Sequence, residues 1–157
     1  MAILRNLWFV DTLVKLHTNA VALNLGDTTP GAFMFALFND TITPDASQAD
    51  PAYGTAPFDT GEVEGAGYDE GGQALTSVVF EEHPSSPGFM RWDFANLAWD
   101  ASTIPDAKGA LIYVPGLADM AVLLRSFGQE YSSQDGTFSV NLHGDGVAKL
   151  NAVGPIL

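Results

Sequence analysis

The sequence has no cysteine, only six lysine and arginine residues, and no uninterrupted apolar run of about 18 residues. Without thiols there is no disulfide framework, no thiolate metal site and no cysteine nucleophile. Without the long run there is no helical membrane span, and no membrane partner is expected. The greasy start at Ile3, Leu4, Leu7, Trp8, Phe9 and Val10 is interrupted by Arg5 and Asp11. No small-residue cleavage site follows it, so it does not read as a signal peptide. Lysine and arginine are missing altogether between Lys15 and Arg91, whereas acids run from Asp27 to Glu82, and the net charge is −13. Phosphate neutralisation needs clustered bases, which argues against direct nucleic-acid binding. The acids read as a solubilising surface or as a face that docks on something basic.

At 157 residues the chain is long enough for one domain, since a protein of this size hides roughly 70% of the surface its unfolded chain exposes. Residues 1–31 read as an N-terminal arm or short helix, because Leu4, Leu7, Trp8, Leu13, Val14 and Leu16 follow no clean period. The arm either contacts a neighbouring subunit or packs on its own core. Residues 32–157 read as a β-domain. Ala32 to Phe38 is a buried strand with Phe33, Phe35 and Leu37 on one face and Met34, Ala36 and Phe38 on the other. From Asn39 to Glu64, proline, glycine and acids predict a long acidic surface loop, far longer than the usual connection of about 4–6 residues.

Gly71-Gly72 predicts a tight bend into strand chemistry from Gln73 to Glu82. Met90, Trp92 and Phe94 alternate with polar residues, as in a half-buried strand. Leu97 and Trp99 precede a turn-rich stretch from Asp100 to Ala107. Ala110 to Val114, Ala121 to Phe127, and Phe138, Val140 and Leu142 complete a series of short strands. The expected fold is all-β, a β-sandwich or jelly-roll-like domain with an irregular N-terminal arm and a long acidic loop.

Catalytic and metal chemistry finds little purchase. His17, His83 and His143 stand far apart in the chain, so zinc is unsupported. Glu62, Glu64, Asp69 and Glu70 lie beside glycines but lack the alternating register of a calcium loop. Gly65-Ala66-Gly67-Tyr68-Asp69-Glu70-Gly71 misses the dinucleotide fingerprint by one position, and no helix pattern follows. No serine sits in a nucleophile elbow and no lysine in a phosphate loop. The expectation is no enzyme and no cofactor. Tyr68, Trp92, Trp99 and Tyr113 read as core, with a sugar-stacking face as the alternative.

One stretch carries more. The run Gly65-Ala66-Gly67-Tyr68-Asp69-Glu70-Gly71-Gly72-Gln73-Ala74-Leu75 matches a Gly-x-Gly-Tyr-x-x-Gly-Gly-x-x-Leu signature. Trp99-Asp100-Ala101-Ser102-Thr103-Ile104 follows, then Lys108-Gly109-Ala110-Leu111-Ile112-Tyr113. This pattern resembles a family of small virion proteins of tailed bacteriophages. Weaker echoes run from Phe35 to Pro44, from Leu123 to Gly128 and from Asp135 to Asn141, so the resemblance touches most of the chain after residue 32. Asn96 and Lys108 depart from the family's usual Asp and Arg.

The resemblance implies a scaffold motif of Gly65, Gly67, Tyr68, Gly71, Gly72, Trp99, Thr103, Ile104 and Tyr113. It also implies a capsid decoration protein on the virion exterior, in contact with the major capsid protein and forming a homo-oligomer, with a trimer as the family's common state. Ile3, Leu4, Leu7, Trp8 and Phe9 are the expected capsid contacts, and removal of residues 1–16 is expected to leave a folded domain. A tail or head–tail connector protein and a carbohydrate-binding module using Trp92 or Trp99 are the alternative roles.

Overall fold

Short runs of aromatic and β-branched residues become strands, as expected of half-buried sequence. The computed structural model describes residues 3–152 and is all-β, with 37% strand and 7% helix. In chain order the elements are β1 (Leu7–Trp8), α1 (Val10–His17), β2 (Met34–Phe38), β3 (Gln73–Ala74), β4 (Val79–Glu82) and β5 (Phe89–Asp93). There follow β6 (Leu97–Ser102), β7 (Ala107–Val114), β8 (Met120–Tyr131), β9 (Gly136–Val140) and β10 (Ala148–Asn151). A five-stranded sheet has the order β1-β8-β7-β2-β3, beside a three-stranded sheet β10-β5-β4 and a pair β6-β9. The described pairings are antiparallel.

The five-stranded sheet is apolar on both faces because β2 has no polar face to turn outward. Phe35 and Leu37 join a core with Ile112 of β7, Trp92 of β5, and Trp99 and Phe138 of β6 and β9. Ala36 and Phe38 point the other way, into a second core with Leu111, Tyr113 and Leu124. Strand β8 serves both through a register shift. Ile112 pairs with Leu123 and Tyr113 with Ala121, so Val122 is an extra residue. Val122 and Leu123 therefore both enter the first core, while Ala121 and Leu124 enter the second.

The second core is closed by segments that the sequence reading placed outside the body of the fold. Ile3 and Phe9 are 1% and 0% exposed, so two of the five expected capsid contacts are interior residues. Leu7 and Trp8 are half-buried, paired with Leu124 and Leu123, and Trp8 stacks on Trp92 with ring centroids 5.5 Å apart. Only Leu4, at 63%, is well exposed. The arm is thus an edge strand and a helix pinned to β8. Thr12 Oγ1 donates to the Ala121 carbonyl at 2.6 Å and the Ser126 amide donates to Asn6 Oδ1 at 2.9 Å.

The long loop after β2 is likewise structural as well as superficial. Ile42 and Phe58 are buried in the second core, and Phe58 packs edge-on against Phe9 and Phe38. Three further departures are local. The stretch Gln73 to Glu82 divides into β3 and β4, with Ser77 between them at φ 54°. Strand β6 runs on to Ser102 through an irregularity after Trp99, where Ala101 takes φ 49°. Strand β10, with alternately half-buried and exposed residues, gave no clear signal in the sequence.

Candidate functional site

The signature residues are separated in the chain and meet in space. The loop Gly65–Gly72 lies against the segment Trp99–Ile104. The Thr103 amide donates to the Ala66 carbonyl at 2.8 Å, and the Tyr68 ring lies 6.0 Å from that of Trp99. Glycine is required by this approach: a Cβ at Gly65 would stand 1.8 Å from the Thr103 carbonyl oxygen. At Gly72, where φ is +77°, it would stand 1.9 Å from that of Phe35. Gly67 and Gly71 also take positive φ. Ile104 is fully buried, and the Thr103 hydroxyl accepts from the Asp135 amide at 3.1 Å.

Just before this loop in the chain, and bonded to it, stands Glu62. Its Oε1 accepts from the Tyr68 hydroxyl and from the Gly71 amide, each at 2.7 Å, and its Oε2 accepts from the Tyr53 hydroxyl at 2.6 Å. The Tyr68 oxygen in turn accepts from the Leu37 amide at 2.9 Å, tying the carboxylate to β2. Tyr113 donates to the Gly71 carbonyl at 3.0 Å and stacks on Tyr53 at 4.5 Å. Burial, then the neighbouring Glu62 carboxylate, holds the Tyr53 and Tyr68 hydroxyls far above the ordinary phenol range. Tyr113 is pushed up to about 12 by burial and by the charges of Asp119 and Glu62. All three phenols are therefore neutral hydrogen-bond donors, Tyr53 and Tyr68 to the Glu62 carboxylate and Tyr113 to the Gly71 carbonyl.

Beside this network is an open cleft of about 540 Å³, lined by Tyr53, Phe58, Glu62, Glu64, Tyr68 and Glu70 among others. Three of the four carboxylates weighed for calcium, Glu64, Asp69 and Glu70, are exposed. The fourth, Glu62, has both oxygens engaged by hydrogen-bond donors. Among the described residues no group of three or more His, Cys, Asp and Glu side chains is placed to hold a metal ion.

The histidines differ from their separation in sequence. His83 Nε2 is 2.9 Å and His143 Nδ1 3.3 Å from the Asp145 carboxylate, which Lys149 also reaches at 2.9 Å. His83 is buried and its Nδ1 accepts the Ser85 amide at 3.2 Å. The cluster fastens the β4–β5 turn to the approach to β10.

Sugar stacking on Trp92 or Trp99 is overturned. Their exposures are 0% and 3%, and the Trp92 indole N–H donates to the Leu25 carbonyl at 2.8 Å. An indole enclosed by protein on both faces offers no platform to a pyranose ring. Tyr68 and Tyr113 are also buried. Sequence reasoning missed Tyr53 and the central role of Glu62, because nothing local sets one acid in an acid-rich loop apart from its neighbours. Comparison with family models, with curated proteins and with solved structures finds no match to this chain.

Proposed function

We propose that this chain is a structural protein of a tailed-bacteriophage virion, a decoration protein bound to the outside of the capsid shell. In this reading it binds the major capsid protein, forms a homo-oligomer, and stiffens the shell without transforming any molecule. The five-stranded sheet facing the two smaller ones across Phe35, Trp92 and Trp99 is read as a sandwich-like body. One observation carries the proposal: the residues that bear the family resemblance are spent on framework. Gly65 and Gly72 admit neighbouring backbone, Tyr68 and Tyr113 anchor the loop, and Trp99 fills the core. A scaffold motif of this kind suits a rigid part added in many copies, where multiplicity compensates for modest affinity at each contact.

The contact surface is revised by burial. Leu4, Val10 and Val14 are 63%, 53% and 54% exposed, and Val10 and Val14 lie one turn apart on α1. They replace the buried Ile3 and Phe9 as the apolar residues offered to the shell. Two measurements test the proposal: quantitative mass spectrometry of purified particles, and co-sedimentation of the protein with undecorated shells. Many copies per particle are expected. Leu4→Ser, Val10→Ser and Val14→Ser together are expected to abolish co-sedimentation with little change in Tm. Particles without this chain would overturn the role. A few copies at one vertex would make it a connector or tail protein. Unaltered co-sedimentation of the triple variant would move the contact elsewhere.

A further inference from the structure

Where β8 bulges from its register with β7, between Ser126 and Tyr131, the molecule has a second open groove, of about 380 Å³, between that strand and β9. Its apolar walls are Phe127 and Tyr131 on one side and Phe138, Val140 and Leu142 on the other, with Arg125 among the lining residues. Two features mark it out. First, β9 pairs only with β6 among the described strands, leaving its other edge without a strand partner. An unpaired edge presents a row of backbone donors and acceptors to any extended chain laid along it.

The second feature is charge. Lys15 pairs with Asp11 and Asp50, Arg91 with Glu81 and Asp93, and Lys149 with Asp145. Lys108 donates to the Gly128 carbonyl, and Arg5 stands exposed at the surface. Arg125 is partly buried, yet its guanidinium makes no hydrogen bond or ion pair with another described residue, in a chain carrying nineteen acids. A partly buried guanidinium gains most from a carboxylate that arrives with its own apolar flanks.

We propose that this groove receives an extended segment of a partner protein, apolar at alternate positions and carrying one acidic side chain that pairs with Arg125. The segment adds a strand to the free edge of β9, lays its apolar side chains over Phe127, Val140 and Leu142, and brings its carboxylate to Arg125. This site does not rest on the shell-binding role.

The probes are two dye-labelled, end-capped heptapeptides of alternating Val and Thr, one with a central Asp and one with a central Lys, titrated by fluorescence anisotropy. The Asp peptide is expected to bind saturably. The Lys peptide should bind about tenfold more weakly, the scale of one charge-assisted hydrogen bond. Arg125→Glu should reverse that preference and Arg125→Gln abolish it, both at near wild-type Tm. Hydrogen exchange of residues 137–141 should slow when the Asp peptide is bound. Lack of saturable binding, equal binding of the two peptides, an unchanged preference in both variants, or unaltered exchange along β9 would each overturn the proposal.

Discussion

A single carboxylate, Glu62, organises three donors drawn from separate parts of the loop, two phenols and the Gly71 amide. Hydrogen bonds to an ionised acceptor are about twice as strong as neutral ones. Their loss also leaves the buried Tyr68 hydroxyl and the buried Gly71 amide short of an acceptor. Glu62→Ala should therefore lower stability by about 2–4 kcal/mol in urea denaturation. Glu64→Ala, at an exposed neighbouring carboxylate, should fall within about 0.5 kcal/mol of the parent. Equal effects at the two positions would show that the network does not hold the loop.

At the scale of elements, the N-terminal segment is the informative case. Ile3 and Phe9 are fully enclosed, and truncation of such residues costs about 2–5 kcal/mol each. Together these losses approach the whole stability of an ordinary domain, about 5–15 kcal/mol. A chain lacking residues 1–9 should lose its cooperative thermal transition by circular dichroism; a truncated protein with an undiminished Tm would contradict the packing. Strand faces were legible beforehand where period 2 is local. Phe35 and Leu37 do oppose Ala36 and Phe38, and Trp92 is an interior residue of β5. The glycines of the signature were legible too, since their need is a backbone property. The burial of Ile3, Phe9, Ile42 and Phe58 was not, because an aperiodic apolar residue shows its destination only once a sheet face exists to receive it. Glu62 escaped notice for a related reason: its donors come from positions 53, 68 and 71, with no spacing rule among them.

Across the molecule, titration bounds the stable range on both sides. Tyr53, Tyr68 and Tyr113 ionise later in the folded chain than a free phenol does. Their contribution is present below the unfolded value near 10 and disappears as pH rises through the folded values, about 12 for Tyr113. Asp11, Asp27, Asp45 and Asp145 are displaced the opposite way. Lys15 lowers Asp11, Thr29 lowers Asp27, Ser47 lowers Asp45, and Lys149 with His83 lowers Asp145. Their contribution is present above the unfolded value of 3.8 and is lost as pH falls through the folded ones. Scanning calorimetry should find Tm level across neutral pH, falling below about 4 and above about 10. In a Tyr131→Phe background, which removes the one exposed phenol of the four, the alkaline fall should be accompanied by tyrosinate absorbance at the unfolding transition, and tyrosinate appearing while Tm holds would contradict it.

The attachment of the chain's start to β8 also has a temporal side. The bond from Thr12 to Ala121 spans 109 positions and that from Ser126 to Asn6 spans 120. During synthesis, Trp8 and Phe9 therefore leave the ribosome long before the strand that will shelter them, and spend that interval as greasy nascent chain. Folding of the second core must wait until β8 has been synthesised, which makes these early residues natural clients for a chaperone.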